Sequence, residues 1–384
     1  LGIESRKRDH IQISLDKDVS FKEKTNWFEY VELIHSALPE MDADEVNLST
    51  TFLGEKFSLP FVIEGMTGGT EEAEKINGNL SEAAATAKIP VGVGSQRAAM
   101  VKPELAKTFR AARERAPGAF ILANIGGVQI AEHGPDMALR AVQMIDADAL
   151  VIHLNPLQEV VQPDGKANFR NLISRIRRLR RELGLPIIVK EIGCGMSGNA
   201  AKRLEEAGVD AIDVAGSGGT NWTLIEMMRA EGAGDEAKAH LAEALLEWGI
   251  PTAASTLEVR ASTSLPIISS GGIRSGLEAA KALALGADMV GFAHPMLEPA
   301  TRSAEAVLAK IRQLEQELRT VMFLSSAKTV ERMKAADLVL LGPLYQWAVQ
   351  RCAAHPKLRQ AYSWAKTKRI REPLSRRQKP KRSN

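Results

Sequence analysis

The chain has 384 residues, 45% apolar and 25% charged, which suits a soluble protein with one large core and contains no apolar run of the roughly 18 residues a membrane span needs. Its two cysteines, Cys194 and Cys352, exclude a disulfide framework and a C-x-x-C metal site. With no signal-peptide pattern at the start, they point to the cytoplasm. The net charge of +3 conceals nine basic residues against one acid from Lys366 onward, so the rest is mildly acidic and argues against nucleic acid as a partner.

Residues 1–59 read as an N-terminal extension packing on the rest of the fold. From residue 60 a short apolar run and an amphipathic segment alternate along the chain. The runs are PFVIEGM (60–66), IPVGVG (89–94), AFILANIG (119–126), ALVIHLN (149–155), PIIVKEI (186–192), AIDVAGS (211–217), PIISSGG (266–272) and DMVGFA (288–293). Between them, 71–87 places Ala73, Ile76, Leu80 and Ala84 on one helical face, and 168–183 does the same with Leu172, Ile176, Leu179 and Leu183. Helices are also predicted over 197–208 and 277–286, each ending at a glycine, and a long one after 300. Residues 221–263 read as an extra helical insertion. The basic segment closing 351–384, with Pro373 and Pro380, reads as a disordered tail.

Eight apolar strands alternating with helices predict an α/β fold, a (β/α)8 TIM barrel over residues 60–350. In that fold the chemistry lies at the C-terminal strand ends. Here those ends read MTGGT, GSQR, Asn124-Ile125-Gly126-Gly127, HLNPLQE, Lys190-Glu191, SGGTNW, SGGIRSG and FAHP. SGGT and SGGIRSG each offer backbone N–H groups ahead of a helix, as a phosphate cradle does, although GGIR alone would also suit a tight turn. Lys190, inside an apolar strand, calls for either an ion pair with Glu191 or Asp213 or a ligand's negative charge. GCGMSG (193–198) matches a dinucleotide-binding fingerprint, but it follows the fifth strand of eight rather than opening a Rossmann unit. No two histidines have zinc-site spacing.

Together, RKRDH, GMTGG, GVGSQRAA, ANIG, HLNPLQE with QPDG, VKE, GGTNW, WGIPTA and SSGGIRSG resemble the type 2, FMN-dependent isopentenyl-diphosphate isomerases over about residues 4 to 350. The resemblance implies that Gly65, Met66, Thr67, Gly68, Ser95, Asn124, Lys190, Ser217, Thr220, Gly271, Gly272, Ile273, Arg274, Ala293 and His294 hold FMN. It implies substrate contacts from Arg6, Lys7, His10, Ser95, Gln96, Arg97, Asn155 and Gln158. Glu159 would bind Mg²⁺, and Gln158, Lys190 and His153 would be catalytic. NAD(P)H is the implied reductant, a small-molecule diphosphate the implied substrate, and a tetramer or octamer the implied assembly.

Two positions depart from the family pattern: Glu64, where a small or hydroxyl residue is expected, and His294, where an apolar one is. An FMN barrel oxidoreductase acting on a hydroxy acid or enone would share GGIR and Lys190. It would not need RKRDH, SQR or HLNPLQE.

Overall fold

The computed structural model describes residues 3–163 and 165–352; the basic segment from Lys366 lies outside the described residues. Eight parallel strands close a barrel in chain order: β1 Phe61–Ile63, β2 Val91–Gly92, β3 Ile121–Gly126, β4 Ala149–His153, β5 Ile187–Lys190, β6 Ala211–Asp213, β7 Ile267–Ser269 and β8 Met289–Phe292. Each apolar run predicted from the sequence contains one strand.

The strands are apolar on both faces because both faces are covered. Outward-facing Phe61, Ile121, Leu150, Ile187, Ile212, Ile267 and Val290 join the main core under the surrounding helices. Inward-facing Val62, Leu122, Val151, Ile188, Ala211, Ile268 and Met289 form a second cluster. Phe52 and Phe57, from the antiparallel hairpin Thr50–Phe52/Glu55–Phe57, complete that cluster and plug the barrel's N-terminal end. Burying one such phenyl ring contributes about 1.5–3 kcal/mol.

Side chains alternate along a strand, so the next inward position lies two residues on. There the barrel changes character: Val62 is followed by Glu64, Leu122 by Asn124, Val151 by His153, Ile188 by Lys190, Ala211 by Asp213 and Ile268 by Ser270. Met289 is followed by Gly291. The lower barrel is a dry plug, and the layer above it is a polar floor.

The helix over 71–87 forms as predicted, Glu71–Ala87, with Thr70 accepting from the Ala73 N–H as its cap. Ser197, Ser275 and Ser303 cap later helices in the same way, each contributing about 1 kcal/mol. The helix expected from 168 begins only at Leu172. The residues before it fold back onto the Glu159 carboxylate, which accepts the Lys166 N–H, and Asn171 is left-handed. The predicted insertion is also shorter than expected. Trp222–Gly232 and Glu236–Glu243 are extra helices, whereas Thr252–Ser262 packs against β7 as part of the barrel wall.

The N-terminal helix Ile3–Asp16 lies across the barrel mouth, against Trp222–Gly232 and His294–Arg302. Further along, Val31–Leu33 pairs antiparallel with Leu338–Leu340, which ties the extension to the end of the described chain.

Candidate active site

The C-terminal strand ends enclose a cavity of about 200 Å³. Its floor holds Lys190, whose ammonium donates to the Glu191 carbonyl at 2.8 Å and lies 3.9 Å from the Glu64 carboxylate and 3.8 Å from that of Asp213. Lys190 is therefore paired with Asp213 and also with Glu64. The Glu191 side chain is spent elsewhere, accepting the backbone N–H groups of Ile192, Gly193 and Cys194. Burial raises the Glu191 carboxyl to about 7 despite those donors.

On the adjoining wall, Asn124 donates its amide to the Val93 carbonyl, so its oxygen is left to accept from His153 Nδ1 at 2.7 Å. That assigns the proton of the neutral ring to Nδ1 and leaves Nε2 as an acceptor. Burial, reinforced by Lys190, Lys7 and Arg97, lowers the His153 pKa to about 3, so the ring is neutral in ordinary buffers.

Cations gather at the mouth. Arg6 and Lys7 come from the N-terminal helix, and Arg97 opens the short helix Arg97–Val101 after β2. Burial, with Arg6 and Arg97 nearby, lowers the Lys7 ammonium to about 7. Such a concentration of positive charge suits an anionic ligand.

The loop HLNPLQE forms a short helix, Pro156–Val161, with Pro156 in its first turn. Asn155 donates to both Gln158 and Glu159, at 3.0 and 3.2 Å. Gln158 then donates to Glu226 at 2.9 Å. Glu226 is fully buried and also accepts from His10 at 3.0 Å and from Arg229. Burial alone would raise this carboxyl, but His10, Arg229 and Gln158 together hold it near 2. Burial lowers the His10 pKa against the pull of Glu226.

Across the cavity, the loops after β6 and β7 interlock. A Cβ on Gly219 would lie 2.4 Å from the Gly272 nitrogen, and Gly272 has φ +75°, which favours glycine. Beside them, His294 opens the next helix and donates Nε2–H to the Ser14 carbonyl at 3.2 Å, latching the N-terminal helix.

Most of the residues predicted from the sequence meet here: Arg6, Lys7, His10, Ser95, Arg97, His153, Asn155, Gln158 and Glu159, with Gly65, Met66, Thr67, Asn124, Lys190, Thr220, Gly271, Gly272, Ile273, Arg274, Ala293 and His294. Three do not line the cavity. Gln96 is buried beneath the wall, its amide donating to the Ala141 carbonyl and accepting the Asn124 N–H, so it holds Asn124 rather than a ligand. Gly68 packs against Phe109, which a Cβ there would meet at 1.9 Å. Ser217 is buried in the loop that pairs with Pro251.

The sequence reading missed Glu226, Trp222 and Gln129. Glu226 had a signal, a carboxylate between Ile225 and Met227 on a helix's apolar side. Trp222, whose ring meets His10 edge-on at 5.1 Å, was visible only as part of GGTNW.

Comparison with known proteins agrees with this geometry. A model of the FMN-dependent dehydrogenase family matches residues 3–120 and 154–340. Among solved structures, a lactate oxidase from Pediococcus acidilactici has a TM-score of 0.63 at 17% identity, covering 89% of this chain and 95% of its own. A mandelate oxidase carrying an FMN adduct has a TM-score of 0.57 at 19% identity, covering 88% and 93%. At such identities they establish the fold alone. The isopentenyl-diphosphate delta-isomerase of a Nostoc species is 46% identical over 86% of this chain and 94% of its own length. That of Methanothermobacter thermautotrophicus is 43% identical over 91% and 97%. Taken with the barrel, its glycine loops and the cation-lined mouth, these likenesses show that the chain belongs to the isopentenyl-diphosphate delta-isomerases, in their FMN-dependent barrel form.

Proposed function

We propose that the protein interconverts isopentenyl diphosphate and dimethylallyl diphosphate, using reduced FMN, Mg²⁺ and NAD(P)H as the reductant. The observation that carries this reading is a single cavity with glycine loops at one end and a cluster of cations at the other. The glycine loops at Gly219 and Gly272 suit the phosphate of a cofactor, and the Arg6, Lys7 and Arg97 cluster suits a second, highly charged group.

The residues fit both absent groups. For FMN, Thr67 faces the cavity with a buried hydroxyl that has no partner among the described residues, and Lys190 supplies a cation in the floor. For the metal, no cluster of three acidic, histidine or cysteine side chains exists among the described residues. Buried Glu159 and the partnerless Asn155 Oδ1 offer oxygen donors, and a hard cation would take its remaining ligands from the diphosphate and water.

Bound reduced flavin would supply an electron-rich surface that stabilises positive charge developing on the alkene carbon. The chain supplies the rest. Arg6, Lys7 and Arg97 bind the diphosphate and orient the alkene inward. His153 is held neutral, so the wall adds no charge that would repel a cationic centre. Gln158, fixed between Asn155 and Glu226, presents a neutral amide backed by a permanent carboxylate, which can orient a proton transfer at Gln158 Oε1. Met66 and Ile11 give the wall an apolar part that limits water.

We assign the protein to the cytoplasm as a homo-oligomer, with residues 1–59 serving the barrel as a mouth-covering extension. No helix among the described residues is long and apolar enough to cross a membrane. The deciding assay supplies isopentenyl diphosphate, FMN and Mg²⁺ anaerobically, with and without NADPH. Dimethylallyl diphosphate formed only with reduced flavin, in large excess over NADPH consumed, supports the isomerase. Stoichiometric oxidation of a hydroxy acid or reduction of an enone, with no isomer formed, supports a barrel oxidoreductase instead.

A further inference from the structure

One lysine in the floor faces two carboxylates. Lys190 on β5 lies within ion-pair distance of Glu64, at the end of β1, and of Asp213 on β6. The two acids are both buried and flank the same ammonium. Asp213 Oδ1 accepts the Ser270 hydroxyl at 2.6 Å and the Ala215 N–H at 3.2 Å. Glu64 Oε1 and Asp213 Oδ2 have no hydrogen-bond donor among the described residues. Two ionised carboxylates flanking one ammonium in a buried site would repel, and that ammonium cannot balance both.

We propose that Glu64 and Asp213 share a single proton beside Lys190, with Glu64 as the acid and Asp213 as the carboxylate. The assignment rests on the donors. Asp213 already receives a hydroxyl and a backbone N–H, which favour its charged form, while Glu64 has only the distant ammonium. Burial and the Asp213 charge drive the Glu64 carboxyl well above its ordinary range. Burial raises the Asp213 carboxyl too, but there it is opposed by Lys190, Ser270 and Glu64. The other charged groups nearby do not supply a counter-charge. His153 on β4 is neutral, Lys7 and Arg97 are at the mouth, and Glu191 is occupied by its own turn. Gly291 on β8 provides the room, since a Cβ there would lie 2.4 Å from Glu64 Oε1.

The shared proton leaves the three-residue floor electrically neutral. Resting on the proposed flavin site, this means that Glu64 does not oppose an anionic reduced cofactor, as a second carboxylate would. The departure at Glu64 from a small residue is then an added neutral donor.

Infrared spectroscopy on the cofactor-free protein tests the proton without needing flavin or activity, so its failure is separable from failure of the isomerase reading. At neutral pH the difference between wild type and Glu64→Gln should contain one protonated-carboxyl band that shifts in D₂O. Asp213→Asn should lose the same band, because Glu64 beside Lys190 alone would ionise. Absence of the band from the wild-type difference overturns the proposal. If a variant fails to fold, isotope-labelled glutamate in the wild type identifies the band, and titration separates it from Glu191, whose band fades near pH 7 while that of Glu64 persists. In the flavin-loaded protein, Glu64→Gln should leave the two-electron potential in place, and so should Asp213→Asn, because the ionised Glu64 then balances Lys190 in place of Asp213. Equal rises in both variants mean that Glu64 was ionised and overturn the proposal.

Discussion

Glu226 organises the mouth through three partners that are far from it in sequence or on other turns of the chain. Its charge orders His10, Arg229 and Gln158 at once, so removing it leaves the buried Arg229 guanidinium, among the described residues, with the more distant Asp9 carboxylate at 3.4 Å. Glu226→Gln should cost about 3 kcal/mol of stability in urea unfolding. It should also slow turnover by roughly 100-fold, because Gln158 loses its anionic backing. His153 predicts a pH effect of definite sign. Its folded pKa lies below the unfolded value, so the unfolded chain binds more protons and stability is lost as pH falls from about 6.5 through about 3. The slope should be on the order of 1 kcal/mol per pH unit, and His153→Gln should flatten it in acid-unfolding curves.

Two structural units make the site what it is. The N-terminal helix brings Arg6, Lys7 and His10 to a barrel that would otherwise have an open top, and the His294 bond to Ser14 fastens it. Because burial and its cationic neighbours put the Lys7 pKa near 7, the free protein loses this charge as pH rises through neutrality. Diphosphate affinity, measured by titration calorimetry, should therefore weaken above pH 7, by up to about tenfold per unit. Lys7→Arg should remove that dependence, since arginine stays charged. The interlocked loops after β6 and β7 give a separate expectation. Gly219→Ala would force its methyl onto Gly272 and spread the cradle, so FMN affinity should fall by at least about tenfold with the barrel still folded. Fluorescence titration with FMN reads this directly.

The molecule as a whole divides its labour along the barrel axis. The lower half is a dry apolar plug closed by the hairpin phenylalanines, and the upper half carries charge and chemistry. Destabilising one end need not disable the other. Phe57→Ala should cost about 3–5 kcal/mol in unfolding yet leave turnover per folded molecule within about twofold of wild type. A larger loss of turnover in Phe57→Ala, at temperatures where it is folded, would mean that the plug and the polar floor are mechanically coupled.

The alternation of apolar runs and amphipathic segments was enough to determine the eight-stranded barrel, because strand and helix periodicity are local properties of the chain. The same order placed the polar strand ends at one mouth, so HLNPLQE, Lys190 and the glycine loops were legible as site residues. Facing direction was less legible: GSQR and TGG are polar or small throughout, yet Ser95, Arg97 and Thr67 reach the cavity while Gln96 and Gly68 pack beneath it. Glu226 could not be placed because its partners His10 and Gln158 lie 216 and 68 residues away. The Glu64–Lys190–Asp213 cluster likewise draws on three strands, and only closure of the barrel brings them into contact. Local patterning determined which residues form each strand and helix; long-range packing decided which side chains meet and which protons they keep.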